Sequence, residues 1–291
     1  MSQELLTQLI ALLSTIIIAF LALFVALRIN YFNWQKQGEF ARLSYGDVLG
    51  AFAVMLMVQL VIAPILYVSA YASYLIFSSD VPITPGAFKL DQSHQAVFAI
   101  FSNLVLLFSF FIYGLLKKEK VKTFFGGRFQ IKDFFIGSLS WLICTPVAAV
   151  FNGAIDLLLG LFRDQPIDQT AVQYLKQTLS SPILFSMTAI LVIFIIPVIE
   201  EFLFRGFLQT WLRQYLGVNW AILVCSIIFT LFHFSREQGL DNFVILTTLF
   251  IVSCFMGYIY ERQKNLLASI GLHSTFNAMA TLGVVLMSGP H

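Results

Sequence analysis

Apolar residues run along this chain in long unbroken stretches, separated by short segments that collect most of the lysines, arginines and acids. A helix needs about 20 consecutive apolar residues to cross a hydrocarbon core roughly 30 Å thick. Runs near that length lie at residues 5–27, 49–75, 96–116, 133–161, 182–215, 219–235, 243–260 and 266–287. The pattern predicts an all-α, polytopic membrane protein of about eight transmembrane helices. The first run has no basic residue before it and ends at Arg28, so it reads as a retained span rather than a cleaved leader. The connections at 76–95, with Pro82 and Pro85, and at 163–181 read as short loops. Pro64, Pro146 and Pro197 fall inside spans, where a missing N–H kinks a helix and leaves carbonyls for neighbours to satisfy.

Orientation follows from the basic residues. Lys36 and Arg42 follow Arg28 after the first span, and the densest basic stretch, Lys117 to Lys132, follows the third. The loop after span two holds only Lys89, and the one after span four only Arg163 and Lys176. Arg262 and Lys264 continue the alternation after span seven. Connections from odd to even spans are thus assigned to the cytoplasm, with both termini facing outward.

Composition agrees with lipid as the solvent for most of the chain. Of its 291 residues, 59% are hydrophobic and 11% charged, against about 25% charged in a typical soluble domain. That excludes a water-solvated globular enzyme. The net charge of +2 gives no basis for nucleic-acid binding. Cys144, Cys225 and Cys254 each stand singly in apolar runs, without the pairing of a disulfide framework or the spacing of a zinc site.

Ionisable residues inside a membrane are costly and usually face a protein interior or a wet cavity. Here they gather in the second half of the chain: Glu200, Glu201, Arg205, His233, His273 and Asn277. On a helix, Glu201 and Arg205 are four apart with the acid first, the favourable order for an ion pair. Glu200 points about 100° away and has no intrahelical partner. A carboxylate so placed is suited to take a proton from water, although all three residues also fit a helix-packing ion network. Phe229 and His233 share one helical face, as do His273 and Asn277. The second pair suits donation to one point between helices, or plain interhelical bonding. Counted at ~1.5 Å per residue from the cytoplasmic ends, Glu200 and His233 fall about 15–20 Å deep and His273 nearer 10 Å.

At these residues the sequence resembles the CAAX-processing and bacteriocin-immunity family of intramembrane proteases, which includes the Rce1-like prenyl-protein endopeptidases. Glu200-Glu201-x-x-x-Arg205 matches the family's EExxxR, Phe229-x-x-x-His233 its FxxxH, and His273-x-x-x-Asn277 its final HxxxN. The resemblance covers roughly residues 180–285, which divides one continuous membrane domain into motif-free helices (1–180) and a protease-like part (181–288). It implies a helical bundle with a cytosol-facing cavity where a peptide bond is hydrolysed. Carried across, Glu200 is the general base, His233 positions the water, and His273 with Asn277 stabilises the oxyanion. Glu201, Arg205 and Phe229 support them. The substrate implied is a membrane-associated peptide or protein, prenylated in the eukaryotic role.

Members of the family have been described as metalloproteases, and two His with one Glu form a known zinc ligand set. The helical HExxH arrangement is absent, and the expectation is a metal-free glutamate mechanism with no cofactor. If zinc is bound, Glu200, His233 and His273 would hold it. The competing reading is a non-catalytic membrane protein of the same fold, an immunity or scaffold protein or a transporter, with Gln59, Asn103, Asn152 and Asp156 lining a path. Asn152 and Asp156 read first as interfacial or packing residues. The compartment is the plasma membrane in a prokaryote and the endoplasmic reticulum in a eukaryote.

Overall fold

A computed structural model of the chain describes residues 3–33, 40–77, 92–126, 130–160 and 170–287. Every regular element among them is helical. The long helices are α1 (Gln3–Arg28), α4 (Gln92–Leu116), α6 (Ile131–Leu159), α11 (Asp241–Gln263) and α12 (Leu266–Met287). Two further stretches are composite. α2 (Tyr45–Met57) runs through a wide turn at Val58–Ile62 into α3 (Ala63–Phe77). α8 (Pro182–Ile190), α9 (Ile196–Glu201) and α10 (Thr210–Leu231) are joined by wide turns at Leu191–Ile195 and Phe202–Gln209.

Seven stretches are long and apolar enough to cross a membrane, one of them the 50 residues Pro182–Leu231. That stretch breaks at Gly217, whose backbone (φ 75°, ψ 175°) leaves the helical region, a conformation that costs glycine least. The break falls where the sequence separated the spans 182–215 and 219–235, so about eight membrane helices describe the chain. Large apolar side chains such as Ile17, Phe20 and Leu21 of α1 are more than half exposed. A surface of that kind belongs in lipid.

Two connections hold more structure than expected. The basic segment after α4 folds as α5 (Lys118–Phe124), and the segment 163–181 contains α7 (Thr170–Thr178). The rest of the expected loops, including Pro82 and Pro85, lies at 78–91 and 161–169, outside the described residues.

The core is built around α6, which packs on α12, α11 and α1. Its crossing with α12 is backbone on backbone. A Cβ at Gly137 would sit 1.8 Å from the Ala268 carbonyl oxygen, and one at Gly271 would sit 2.1 Å from that of Phe134. Small residues allow this approach, and Ser138 Oγ seals it by donating to the Gly271 carbonyl at 3.2 Å. The contact fixes α12 two residues before His273.

One end of the bundle is tied by charge. Asp47 caps α2 together with Ser44 and pairs with Lys117 at 3.0 Å and with Lys120. Glu261 pairs with Lys264 at 2.6 Å and with Arg213 at 3.4 Å. Asn265 donates to Asp133 at 2.8 Å. These residues flank the ends that the basic pattern assigns to the cytoplasm.

Candidate active site

The carboxylates come from the composite stretch. Pro182 opens α8 beside the Ser181 cap, whose hydroxyl accepts from the Leu184 N–H. The first wide turn precedes Pro197, which has no N–H to offer the turn before it. The carbonyl of Val192, in that turn, accepts instead from Asn277 Nδ2 of α12 at 2.8 Å. A proline on one helix thereby fixes an amide on another. The second wide turn begins just after Glu201, where Thr210 Oγ1 donates to the Arg205 carbonyl at 3.0 Å. Such π-type turns recur at functional sites in helices.

Glu201 and Arg205 form the pair their spacing predicts, Nη1 to Oε1 at 2.9 Å, and both side chains are fully buried. The guanidinium also donates to Ser253 of α11, to Oγ at 2.7 Å and to the carbonyl at 3.1 Å. It lies 4.7 Å from the centre of the Phe229 ring, a cation–π contact that suits a buried charge. The remaining contact is the informative one. His273 Nδ1 lies 2.9 Å from Glu201 Oε1. A carboxylate only accepts, so Nδ1 carries the proton.

Glu200, one residue earlier, faces elsewhere. Its Oε1 lies 3.9 Å from His233 Nε2 and its Oε2 3.7 Å from His273 Nε2. Oε2 is buried without a hydrogen-bond partner. His233 Nδ1 lies 2.9 Å from the Phe229 carbonyl and therefore donates to it, so a neutral ring turns its acceptor, Nε2, toward Glu200. Phe229 packs against both imidazoles, with centroids 4.7 Å from His233 and 6.1 Å from His273.

Glu200, His233, His273 and Asn277 line one cavity of about 380 Å³, large enough for a short peptide segment. Its walls are mainly apolar, with Leu191, Val192, Phe276 and Met256 among them. Thr188 and Tyr174 add polar atoms that no motif singles out, and Ser253 is equally invisible as a lone serine in an apolar helix. Of the residues proposed for a transport path, Asn103 lines this cavity but donates to its own helix at the Ala99 carbonyl, 2.9 Å away. Asn152 bonds Thr248 across α6 and α11 at 3.1 Å, a packing contact. Asp156 is exposed near the end of α6 and Gln59 is half-buried on the other composite helix.

No three His, Cys, Asp or Glu side chains among the described residues form a metal-binding group. Glu200, His233 and His273 are the side chains that would hold a metal, and each imidazole already has its Nδ1 anchored, as ligating histidines usually do. What the arrangement offers as it stands is a carboxylate with a free oxygen, two oriented imidazoles and an amide, around one cavity.

The fold and site thus define a helical membrane protein with a carboxylate–imidazole centre inside the bilayer. Residues 182–279 match the Rce1-like family, described as type II CAAX prenyl endopeptidase Rce1-like. The match takes in Glu200, His233, His273 and Asn277 and leaves α1 to α7 outside it. No curated protein and no solved structure matches the chain. A likeness to this family points to CAAX-protease-type activity in general terms.

Proposed function

We propose that this protein is an intramembrane endopeptidase in which Glu200 activates water to hydrolyse a peptide bond of a membrane-associated substrate. The observation that carries the reading is the Glu200 carboxylate, whose Oε2 is buried and unpartnered 3.7 Å from His273 Nε2 and whose Oε1 lies 3.9 Å from His233 Nε2, each imidazole having its Nδ1 committed elsewhere. Separations of this size between polar groups suit a bridging water.

In this mechanism Glu200 takes a proton from water as the oxygen attacks the carbonyl carbon. His233, accepting at Nε2, orients that water. The carbonyl oxygen becomes an oxyanion, and two donors stand near it. Asn277 has one amide hydrogen committed to Val192 and a second free. His273 donates from Nε2 as an imidazolium, whose charge faces the Glu201 carboxylate through Nδ1. On collapse the C–N bond breaks, and the leaving amine takes the proton from Glu200. Donors aimed at a developing oxyanion in a water-poor site are worth far more than the same groups in water.

Purified protein in micelles, incubated with peptides carrying a lipid or isoprenyl anchor, tests the reaction class: mass spectrometry should find paired internal cleavage products. Loss of single terminal residues, or intact peptides throughout, would refute it. Reading the protein as a transporter has less support, because of the four polar residues named for a path one lines this cavity, Asn103, while Asn152 makes a packing contact and Asp156 is exposed near the end of α6.

A further inference from the structure

The cavity and the basic segments lie at opposite ends of the bundle. From Glu200 and His273 the cavity runs to Ala96 and Ala99 in the first turns of α4, to Tyr174 and Leu175 on α7, and to Ser235 just after α10. All of these belong to the end away from the Asp47 and Glu261 ion pairs. On the other side of Glu201 the bundle is solid. Arg205, Phe207, Gln209 and Tyr260 are fully buried, and Gln209 donates to the Gly257 carbonyl at 3.1 Å. Among the described residues, these side chains stand between the carboxylates and the charged end.

The charge bias is strong. By sequence, twelve of the 17 Lys and Arg residues fall in segments joining the spans at the charged end, four fall in segments at the cavity end, and the last is the buried Arg205. Such a bias sets which face meets the cytoplasm.

We infer that the Glu200 site is served from the non-cytoplasmic face of the membrane. Its substrates are then peptide segments exported across the membrane or anchored in the non-cytoplasmic leaflet. The resemblance to cytosol-facing proteases implies the opposite direction, and in this chain both the cavity and the charge distribution oppose it. The identity of the substrate rests on the proteolytic reading; the direction of the site does not.

Two single-cysteine variants in a background with Cys144, Cys225 and Cys254 replaced by alanine decide the direction. Glu119→Cys marks the charged end and Glu237→Cys the cavity end. Both positions are exposed, neither touches the site, and neither change alters the Lys and Arg balance. With a membrane-impermeant maleimide on intact cells, Cys at 237 should label fully, and Cys at 119 only after permeabilisation. The reverse pattern, or equal labelling of both in intact cells, overturns the inference.

A palmitoylated, internally quenched peptide added outside right-side-out and inverted vesicles reads the substrate side. Cleavage should be at least tenfold faster in the right-side-out preparation, and faster cleavage in inverted vesicles overturns the inference. Labelling as expected with cleavage in neither preparation overturns the proteolytic reading and the substrate class, and leaves the direction standing.

Discussion

His273 Nδ1 lies 2.9 Å from Glu201 Oε1, joining residues 72 positions apart in the chain. The contact links the two motifs that matter most, because Glu201 is held by Arg205 and His273 turns its other nitrogen toward Glu200. Glu201 therefore serves as an orienting group, and the two adjacent acids have different work. Glu201→Gln should keep a hydrogen-bond acceptor for His273 but leave Arg205 without its counter-charge. Removing one partner of a buried ion pair costs ~3–5 kcal/mol. Thermal unfolding in detergent should show a large drop in Tm for Glu201→Gln and Arg205→Ala, and an unchanged Tm would contradict the structural role.

In the proposed mechanism Asn277 donates to the oxyanion, and in the fold it donates to the Val192 carbonyl, and one substitution separates the two in magnitude. Asn277→Ala removes a donor near the oxyanion, which typically costs about 10²–10³ in kcat. It also strips the Val192 carbonyl of its donor, at about 1–3 kcal/mol of stability. Steady-state kinetics should show the loss in kcat with KM little changed. A rise in KM alone would move Asn277 from transition-state stabilisation to substrate binding.

The α6–α12 crossing predicts a defect without any polar change. Gly271→Ala places a methyl group where the Phe134 carbonyl now lies, and overpacking of this kind costs about 1–3 kcal/mol. Because Gly271 is two residues from His273, activity should fall along with Tm, while Gly153→Ala on α6, whose Cβ would meet only the flexible end of Leu12 at 3.3 Å, should change neither. Equal behaviour of the two variants would contradict the crossing.

Helix number and type were legible in the chain because apolar runs near span length have few alternatives in lipid, and even the break at Gly217 was visible as a gap between runs. The ion pair of Glu201 with Arg205 followed from helical spacing. Contacts between distant segments did not. Spacing within the 273–277 motif puts His273 and Asn277 on one face, yet nothing in it says that one meets Glu201 and the other the Val192 carbonyl. Those partners depend on the α6–α12 crossing and on the turn before Pro197, which are products of packing. Ser253 was hidden for the same reason, and α7 because a nine-residue amphipathic helix is too short to stand out beside membrane spans.

A glutamate mechanism predicts tolerance of chelators. Cleavage should persist after dialysis against EDTA and 1,10-phenanthroline, with no stoichiometric metal by elemental analysis of the active protein. Loss of activity that zinc restores would assign Glu200, His233 and His273 to a metal instead.

Glu200→Gln removes the group proposed to take the proton from the attacking water. The amide keeps the size of the side chain and cannot serve as a base, a role worth about 10²–10⁴ in rate. Purified wild type and Glu200→Gln, matched for Tm, should be compared on the same anchored peptides. The variant should lose at least about 100-fold in kcat. Equal cleavage by both proteins would contradict the proposed role.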